Sequence, residues 1–249
     1  MILILAEKPS AKRNFAKALG GASGSYAGVQ YKICALRGHV MGLLPPDKQV
    51  PADQSEAMQK WSLAGLPWDL AQFSWKKGVL KGCSDVVSEL KGELSGVDEV
   101  CIATDVDPSG EGELLAWEAL EKCGWRGKTS RMYFTDEAPA SVQKAFKGRK
   151  ALGAMEEDGD FVKAHVRERW DLASMQFVRA ATCIARDHGF RTVVREGRLK
   201  SVMVKLTGDQ LEAYNGYVKK PFFEARFRDE NGNVFARTYE DGDVWRVDS

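Results

Sequence analysis

EVCIATDVDPSGEGELLAW, residues 99–117, passes from a continuous apolar run through a short acidic loop into a helical pattern. The run Glu99 to Thr104 is that of a strand buried on both faces, as strands of a parallel sheet are. Pro108, Ser109 and Gly110 break it, and Glu113 to Cys123 reads as a helix. Working outward, a helix is predicted near Ser84 to Leu94, a strand at Arg131 to Phe134, and a helix from Ala138 to Phe146. At the N-terminus ILILA (residues 2–6) is another short buried run. Pro9 opens a helical stretch after it, which Gly20 and Gly21 close. A further apolar run, Tyr31 to Leu36, leads into Arg37, Gly38 and His39. Strands alternating with helices give an α/β fold with a parallel sheet over residues 1–150. Binding sites in such sheets lie at the carboxyl ends of strands. Glu7 and Asp105 both stand at such ends.

The remaining chain has a different texture. Leu43 to Trp75 is rich in Pro and Trp, has little periodicity and is expected to wrap the surface. Asp160 to Asp187 has few breakers and reads as one or two helices, and Arg198 to Tyr214 as another, giving a helical segment over 151–215. Phe222 to Phe227 and Val234 to Tyr239 then alternate apolar and polar residues about Asn231-Gly232, a hairpin signal. Residues 216–249 therefore read as the start of a third, β-rich domain, with Val244 to Ser249 as a new element cut short.

Composition narrows the function classes. With 44% hydrophobic and 29% charged residues, the chain falls outside the disordered and membrane classes. The apolar run Met1 to Ala6 is stopped by Glu7 and Lys8, too short for a signal-peptide core or a membrane span, so a cytoplasmic protein is expected. The five cysteines are scattered without a C-x-x-C pair, which argues against a disulfide framework or a four-cysteine zinc site. The net charge of +1 conceals a segregation of sign. From Lys163 to Lys205 the basic residues Lys163, Arg167, Arg169, Arg179, Arg186, Arg191, Arg195, Arg198, Lys200 and Lys205 face only Glu168, Asp171, Asp187 and Glu196. A basic stretch of this kind is an electrostatic footprint for nucleic acid.

Asp105, Asp107, Glu111 and Glu113 gather carboxylates in one short loop. Two such charges about 4 Å apart repel by roughly 4 kcal/mol at an effective dielectric of 20. A site built this way either keeps protons or binds a hard cation, and Mg²⁺ suits a few carboxylates together with water and phosphate oxygens. Spacing alone is equally compatible with a solvated acidic loop capping the next helix. Glu7 favours a site, because it would face the Asp105 loop if its strand neighbours that of Ile102.

LAEKPS at Leu5 to Ser10, RGH at Arg37 to His39, ATDVDPSGEGELLAW at Ala103 to Trp117, and GRLKS at Gly197 to Ser201 occur in the order found in type IA DNA topoisomerases, and the chain resembles the topoisomerase III branch most. Val166 to Asp171 also keeps both arginines and the aspartate of that family's A-R-x-R-x-D-W motif. The resemblance implies a Toprim domain, Mg²⁺ as cofactor, and single-stranded DNA as partner for cleavage, passage and rejoining without ATP. Glu7 would assist proton transfer to the leaving 3′ hydroxyl, Lys8 would offer a positive charge to the scissile phosphate, and His39 would sit near the same pocket. Asp105, Asp107 and Glu111 would hold Mg²⁺. Arg167, Arg169 and Arg198 would contact the strand or line the pocket, and Lys200, where the family has glutamine, would add a cation. Departures are as specific: Pro108, Ser109 and Gly110 replace a single arginine of D-x-D-R-E-G-E. None of Tyr133, Tyr214, Tyr217 and Tyr239 lies in the context of the strand-cutting tyrosine. The chain is thus expected to be an N-terminal part, inactive alone, whose partner is a tyrosine-bearing C-terminal remainder.

Other classes account for less. A stand-alone Toprim nuclease or primase explains the acidic loop but not the arginine helix with GRLKS. A non-catalytic DNA-binding protein would not need Glu7, Asp105, Asp107 and Glu111 intact. Cys123 to Ser130 lacks the first glycine of a phosphate-binding loop, so no nucleotide is expected. Trp61, Trp68 and Trp75 read as packing residues, and His165 and His188 as surface or helix-end residues.

Overall fold

The computed structural model describes residues 1–219 and 226–236. The chain forms two compact units, Met1–Arg195 and Glu196–Ser249. In the first, β1 (Ile2–Ala6) is buried throughout and α1 (Pro9–Leu19) follows, with proline in its first turn. β2 (Ser23–Tyr26) and β3 (Val29–Ala35) form a hairpin across Ala27 and Gly28. The short strands β4 (Met41–Leu43) and β5 (Lys77–Val79) pair antiparallel and bracket α2 (Ala52–Gln59). Then come α3 (Ser84–Glu93), β6 (Glu99–Ala103), α4 (Glu111–Lys122), β7 (Lys128–Arg131), α5 (Pro139–Lys147), β8 (Lys150–Leu152) and α6 (Gly159–Asp187).

The main sheet has the order β2-β3-β1-β6-β7-β8, with β3, β1, β6 and β7 parallel and both edge strands antiparallel. Alternate residues of β1 feed opposite cores. Leu3 and Leu5 pack with Leu90, Leu114, Leu120 and Phe161 on one face, while Ile2 and Ile4 pack with Phe15, Val142 and Phe146 on the other. Helices covering both faces explain why the central strands carry unbroken apolar runs. The fold is the expected α/β architecture with a mostly parallel sheet.

Helix α6 is one continuous element of 29 residues. Asp158 caps it by accepting the amides of Asp160 and Phe161, and also accepts the Trp117 indole N–H at 2.9 Å, which ties the cap to α4. Farther along, Leu172 packs with Trp68 and Phe73, and the Arg169 and Arg179 guanidiniums lie 5.1 Å from the rings of Trp75 and Trp68. The tryptophan-rich stretch is therefore packed on this helix. Lys77 joins the same assembly, bridging Glu118 of α4 and Glu168 of α6.

Some elements fall elsewhere than the pattern suggested. The strand expected at Arg131 to Phe134 runs instead over Lys128–Arg131, because Thr129, Ser130 and Arg131 are buried polar residues that an apolar pattern does not mark. His165 is half-buried against Phe161 rather than on the surface. In the second unit α7 spans Lys200–Asn215, and β9 (Arg226–Arg228) pairs with β10 (Val234–Ala236) about Asn231-Gly232. Residues 222–225 and 237–239 of the expected hairpin, and the element at 244–249, lie outside the described residues. Among the described residues no helix is long and apolar enough to cross a membrane. All five cysteines are free, and burial pushes the Cys101 thiol up to about 12.

The loop before α4 meets the start of α6 at Gly110, whose φ is 76°, in the left-handed region. A Cβ there would lie 2.2 Å from the Asp160 carbonyl oxygen. Gly110→Ala should therefore destabilise the protein by about 2 kcal/mol or more, combining backbone strain with a displaced helix start. A lower urea midpoint at unchanged slope is the expected result, and an unchanged midpoint would refute this contact.

Candidate metal and phosphate site

The parallel register places Ala6 opposite Ala103, so the chain leaves β1 and β6 side by side. Glu7 Oε2 accepts the backbone N–H of Asp105 at 3.0 Å, and Lys8 Nζ donates to Asp105 Oδ2 at 3.0 Å. That hydrogen bond and the charge of Asp105 hold the Lys8 ammonium above its usual pKa. The loop then turns back sharply. Asp-Pro-Ser-Gly is the residue order of a type I turn, and the Asp107 carbonyl accepts the Gly110 N–H at 3.1 Å. Asp107 Oδ1 accepts the Ser109 amide at 2.7 Å and also the Ser109 hydroxyl. Burial opposes ionisation of Asp107, but hydrogen bonds from Ser109 and the Gly112 amide, together with the charge of Arg167, outweigh it. Its pKa is held below the usual carboxylate range.

Glu111 opens α4 and receives two partners from distant parts of the chain. His39 Nε2 lies 2.8 Å from Oε1, and an Arg167 terminal nitrogen lies 3.2 Å from Oε2. These three side chains line one cleft together with Glu168 and Asp171. The motif on α6 is thus divided: Arg167 faces Glu111, Glu168 binds Lys77, and Arg169 lies over Trp75 with a buried Nε.

Beneath the loop sits Arg131, with none of its surface exposed. Its Nε donates to Glu113 Oε1 at 2.6 Å, and its terminal nitrogens donate to the carbonyls of Thr104 at 2.7 Å and Asp105 at 3.1 Å. Thr104 Oγ1 in turn donates to the Gly112 carbonyl at 2.8 Å. A Cβ on Gly112 would lie 2.1 Å from the Asp105 carbonyl oxygen, so only glycine lets α4 start this close to the loop. Burial raises the Glu113 carboxyl above its usual range although Arg131 pulls the other way.

The structure thus brings Glu7, Lys8 and Asp105 into one hydrogen-bonded group, and His39, Glu111 and Arg167 into another. Arg169 is turned to Trp75, while Arg198 and Lys200 belong to the second unit. Among the described residues no three His, Cys, Asp or Glu side chains converge in a metal-holding geometry. Sequence reasoning missed Arg131 and Ser109. The turn signature around Pro108 marks Ser109 in retrospect, whereas no periodicity distinguishes Arg131.

Residues 2–136 match the Toprim domain family, and the chain belongs to it. Within that class it is homologous to type IA DNA topoisomerases. It is 33% identical over 143 residues to DNA topoisomerase 1 of Mycobacterium tuberculosis, covering 57% of this chain and 14% of that protein. It is 26% identical over 241 residues to DNA topoisomerase 3 of Salmonella typhimurium, covering 91% and 35%. The fold is similar to that of full-length topoisomerase I from Thermotoga maritima, with a TM-score of 0.58 at 22% identity over 91% of this chain and 33% of that one. The chain therefore spans between about a seventh and a third of the length of these relatives.

Replacing Arg131 by methionine would strand Glu113 as a buried charge. Arg131→Met should cost about 3–5 kcal/mol at neutral pH, the usual result of removing one partner of a buried ion pair. A raised folded-state carboxyl pKa favours folding where the group is protonated and opposes it as pH rises through that pKa. The variant's deficit against wild type should therefore shrink as pH falls towards the Glu113 pKa. Parallel urea titrations at several pH values measure this, and a deficit that stays constant across them would contradict it.

Proposed function

We propose that this chain is the N-terminal, Toprim-bearing part of a type IA DNA topoisomerase and handles a phosphodiester of single-stranded DNA. The observation that carries the reading is the placement of Glu7 and Lys8 against the Asp105 loop at neighbouring strand ends. In the proposed division residues 1–150 form the catalytic α/β domain and 151–215 carry the DNA-binding helices, α6 in the first compact unit and α7 in the second.

The phosphate lies at the carboxyl end of the sheet. A tyrosine from the remainder of the enzyme attacks phosphorus, the P–O3′ bond breaks, and the 5′ end is held as a phosphotyrosine. Glu7 assists transfer of a proton to the leaving 3′ oxygen, balanced by the proton that the tyrosine hydroxyl gives up as it attacks, and Lys8 stabilises the charge that develops on the phosphoryl oxygens. His39 orients groups around the same phosphate. Arg167 neutralises the neighbouring backbone, Arg169 is held against Trp75, and Arg198 and Lys200 of the second unit supply further cations for the strand.

Asp105, Asp107 and Glu111 are hard oxygen donors and fit Mg²⁺ on donor chemistry. Each carboxylate now accepts hydrogen bonds or a charge from the protein, and a cation would take over part of that role. Bound Mg²⁺ would neutralise phosphate charge for rejoining. Energy of the broken bond is kept in the phosphotyrosine, so no nucleotide is consumed.

Two measurements test this. Asp107→Ala should weaken Mg²⁺ binding in calorimetric titration, and equal affinity would place the metal elsewhere. Arg167→Ala should weaken binding of a labelled single strand regardless of sequence and reduce the slope of log affinity against log salt by about 0.7, the share of one phosphate contact. Unchanged affinity and slope with a lowered melting temperature would make Arg167 a structural partner of Glu111 only.

A further inference from the structure

The carboxyl edge of the sheet continues past the acidic loop. Leaving β7, the chain buries Met132 and then turns Tyr133 outward, with 44% of it exposed. Beside it stands Val106, 43% exposed and fixed by its position between Asp105 and Asp107. The two line a shallow cleft with Phe134 and Thr135, closed on the far side by Lys144 and Gly148 at the end of α5. The Lys150 ammonium lies 5.6 Å from the centre of the Tyr133 ring, and the Arg131 guanidinium lies at the same distance. An aromatic face, an apolar edge and two lysines are thus collected on the sheet edge that also carries Glu7 and Lys8.

We infer that this cleft is a stacking subsite for one base of the single strand held at the acidic loop. The base lies on the Tyr133 ring against Val106, and its phosphate meets Lys144. The inference rests on the proposed reading that a DNA strand occupies the carboxyl edge of the sheet. Charge selects the occupant: Lys144 gives the lining a positive charge, which complements a phosphodiester. Every base presents a π-face, so the subsite tolerates any sequence. The Lys150 ammonium over the ring also suits a polyanion whose bases must be held without hydrogen-bond readout.

The 249-residue chain and a fluorescein-labelled 12-mer, as oligo-dT and oligo-dA, supply the test by anisotropy across a salt series. Tyr133→Ala should weaken both oligonucleotides by about tenfold at an unchanged salt slope, because stacking releases no counterions. Tyr133→Phe should stay within twofold of wild type, since it keeps the ring. Lys144→Gln should flatten the slope by about 0.7. Oligonucleotides with 2-aminopurine moved along the strand give a readout that works even where the alanine variant folds poorly. One position should be quenched on binding to wild type and to Tyr133→Phe, and should recover in Tyr133→Leu. If Tyr133→Ala and Tyr133→Leu bind like wild type while Arg167→Ala binds weakly, the subsite is refuted and the DNA reading stands. If neither oligonucleotide binds the wild-type chain, both fall together.

Discussion

Parallel pairing of β1 with β6 is the constraint from which the site follows. Two strands in register must release their chains at the same level, so Ala6 opposite Ala103 obliges Glu7 and Asp105 to emerge as neighbours. Their sequences make that adjacency tolerable. Glu7 does not meet the Asp105 carboxylate but accepts its backbone N–H, while Lys8 takes the carboxylate itself. A repulsion between two acids is converted into a hydrogen-bonded triangle with one cation. Had the strands slipped by one residue, every side chain of β1 would have changed faces and both cores would have lost their apolar contributions.

Arg131 provides the footing. A guanidinium with no exposed surface is costly unless its donors are met, and here they are met by Glu113 and by backbone carbonyls of the strand end and loop. This fixes the carbonyl side of residues 104 and 105 from below while Glu7 fixes the amide side of Asp105. Residues that carry no chemistry of their own thereby set the direction in which Asp105 projects. The close approach of Gly112 to the same carbonyl completes the arrangement from the helix side.

The sheet was legible because parallel strands buried on both faces leave continuous apolar runs, as at Ile2 to Ala6 and Glu99 to Ala103. β7 was displaced in the reading because its buried residues are Thr129, Ser130 and Arg131, whose partners are contributed by other elements and leave no local mark. β8 and β2 are edge strands with exposed residues, and their pairing depends on neighbours that sequence spacing does not reveal. For the site, residues adjacent to strand ends were readable from topology, and Glu7 and Asp105 came from that rule. The pairing of His39 and Arg167 with Glu111 was not, since each belongs to a separate motif and only packing of both α6 and the β4 segment against α4 brings them together. The motif around Arg167 also misleads when read as a uniform basic stripe: Glu168 and Arg169 face Lys77 and Trp75, so a good part of the segment's charge is spent within the fold.

That internal use of charge bears on how the site would work. Lys8 with Asp105, and Arg167 with Glu111, pair two of the candidate phosphate-binding cations with two of the candidate metal-binding carboxylates. All four side chains are 31% to 46% exposed, and pairs in such surroundings contribute little net stability. They are therefore cheap to exchange. On the proposed reading a strand and a cation arriving together would each satisfy one half of every pair, the phosphate taking Lys8 and Arg167 and the cation taking Asp105 and Glu111. Either ligand alone would leave like charges exposed to one another.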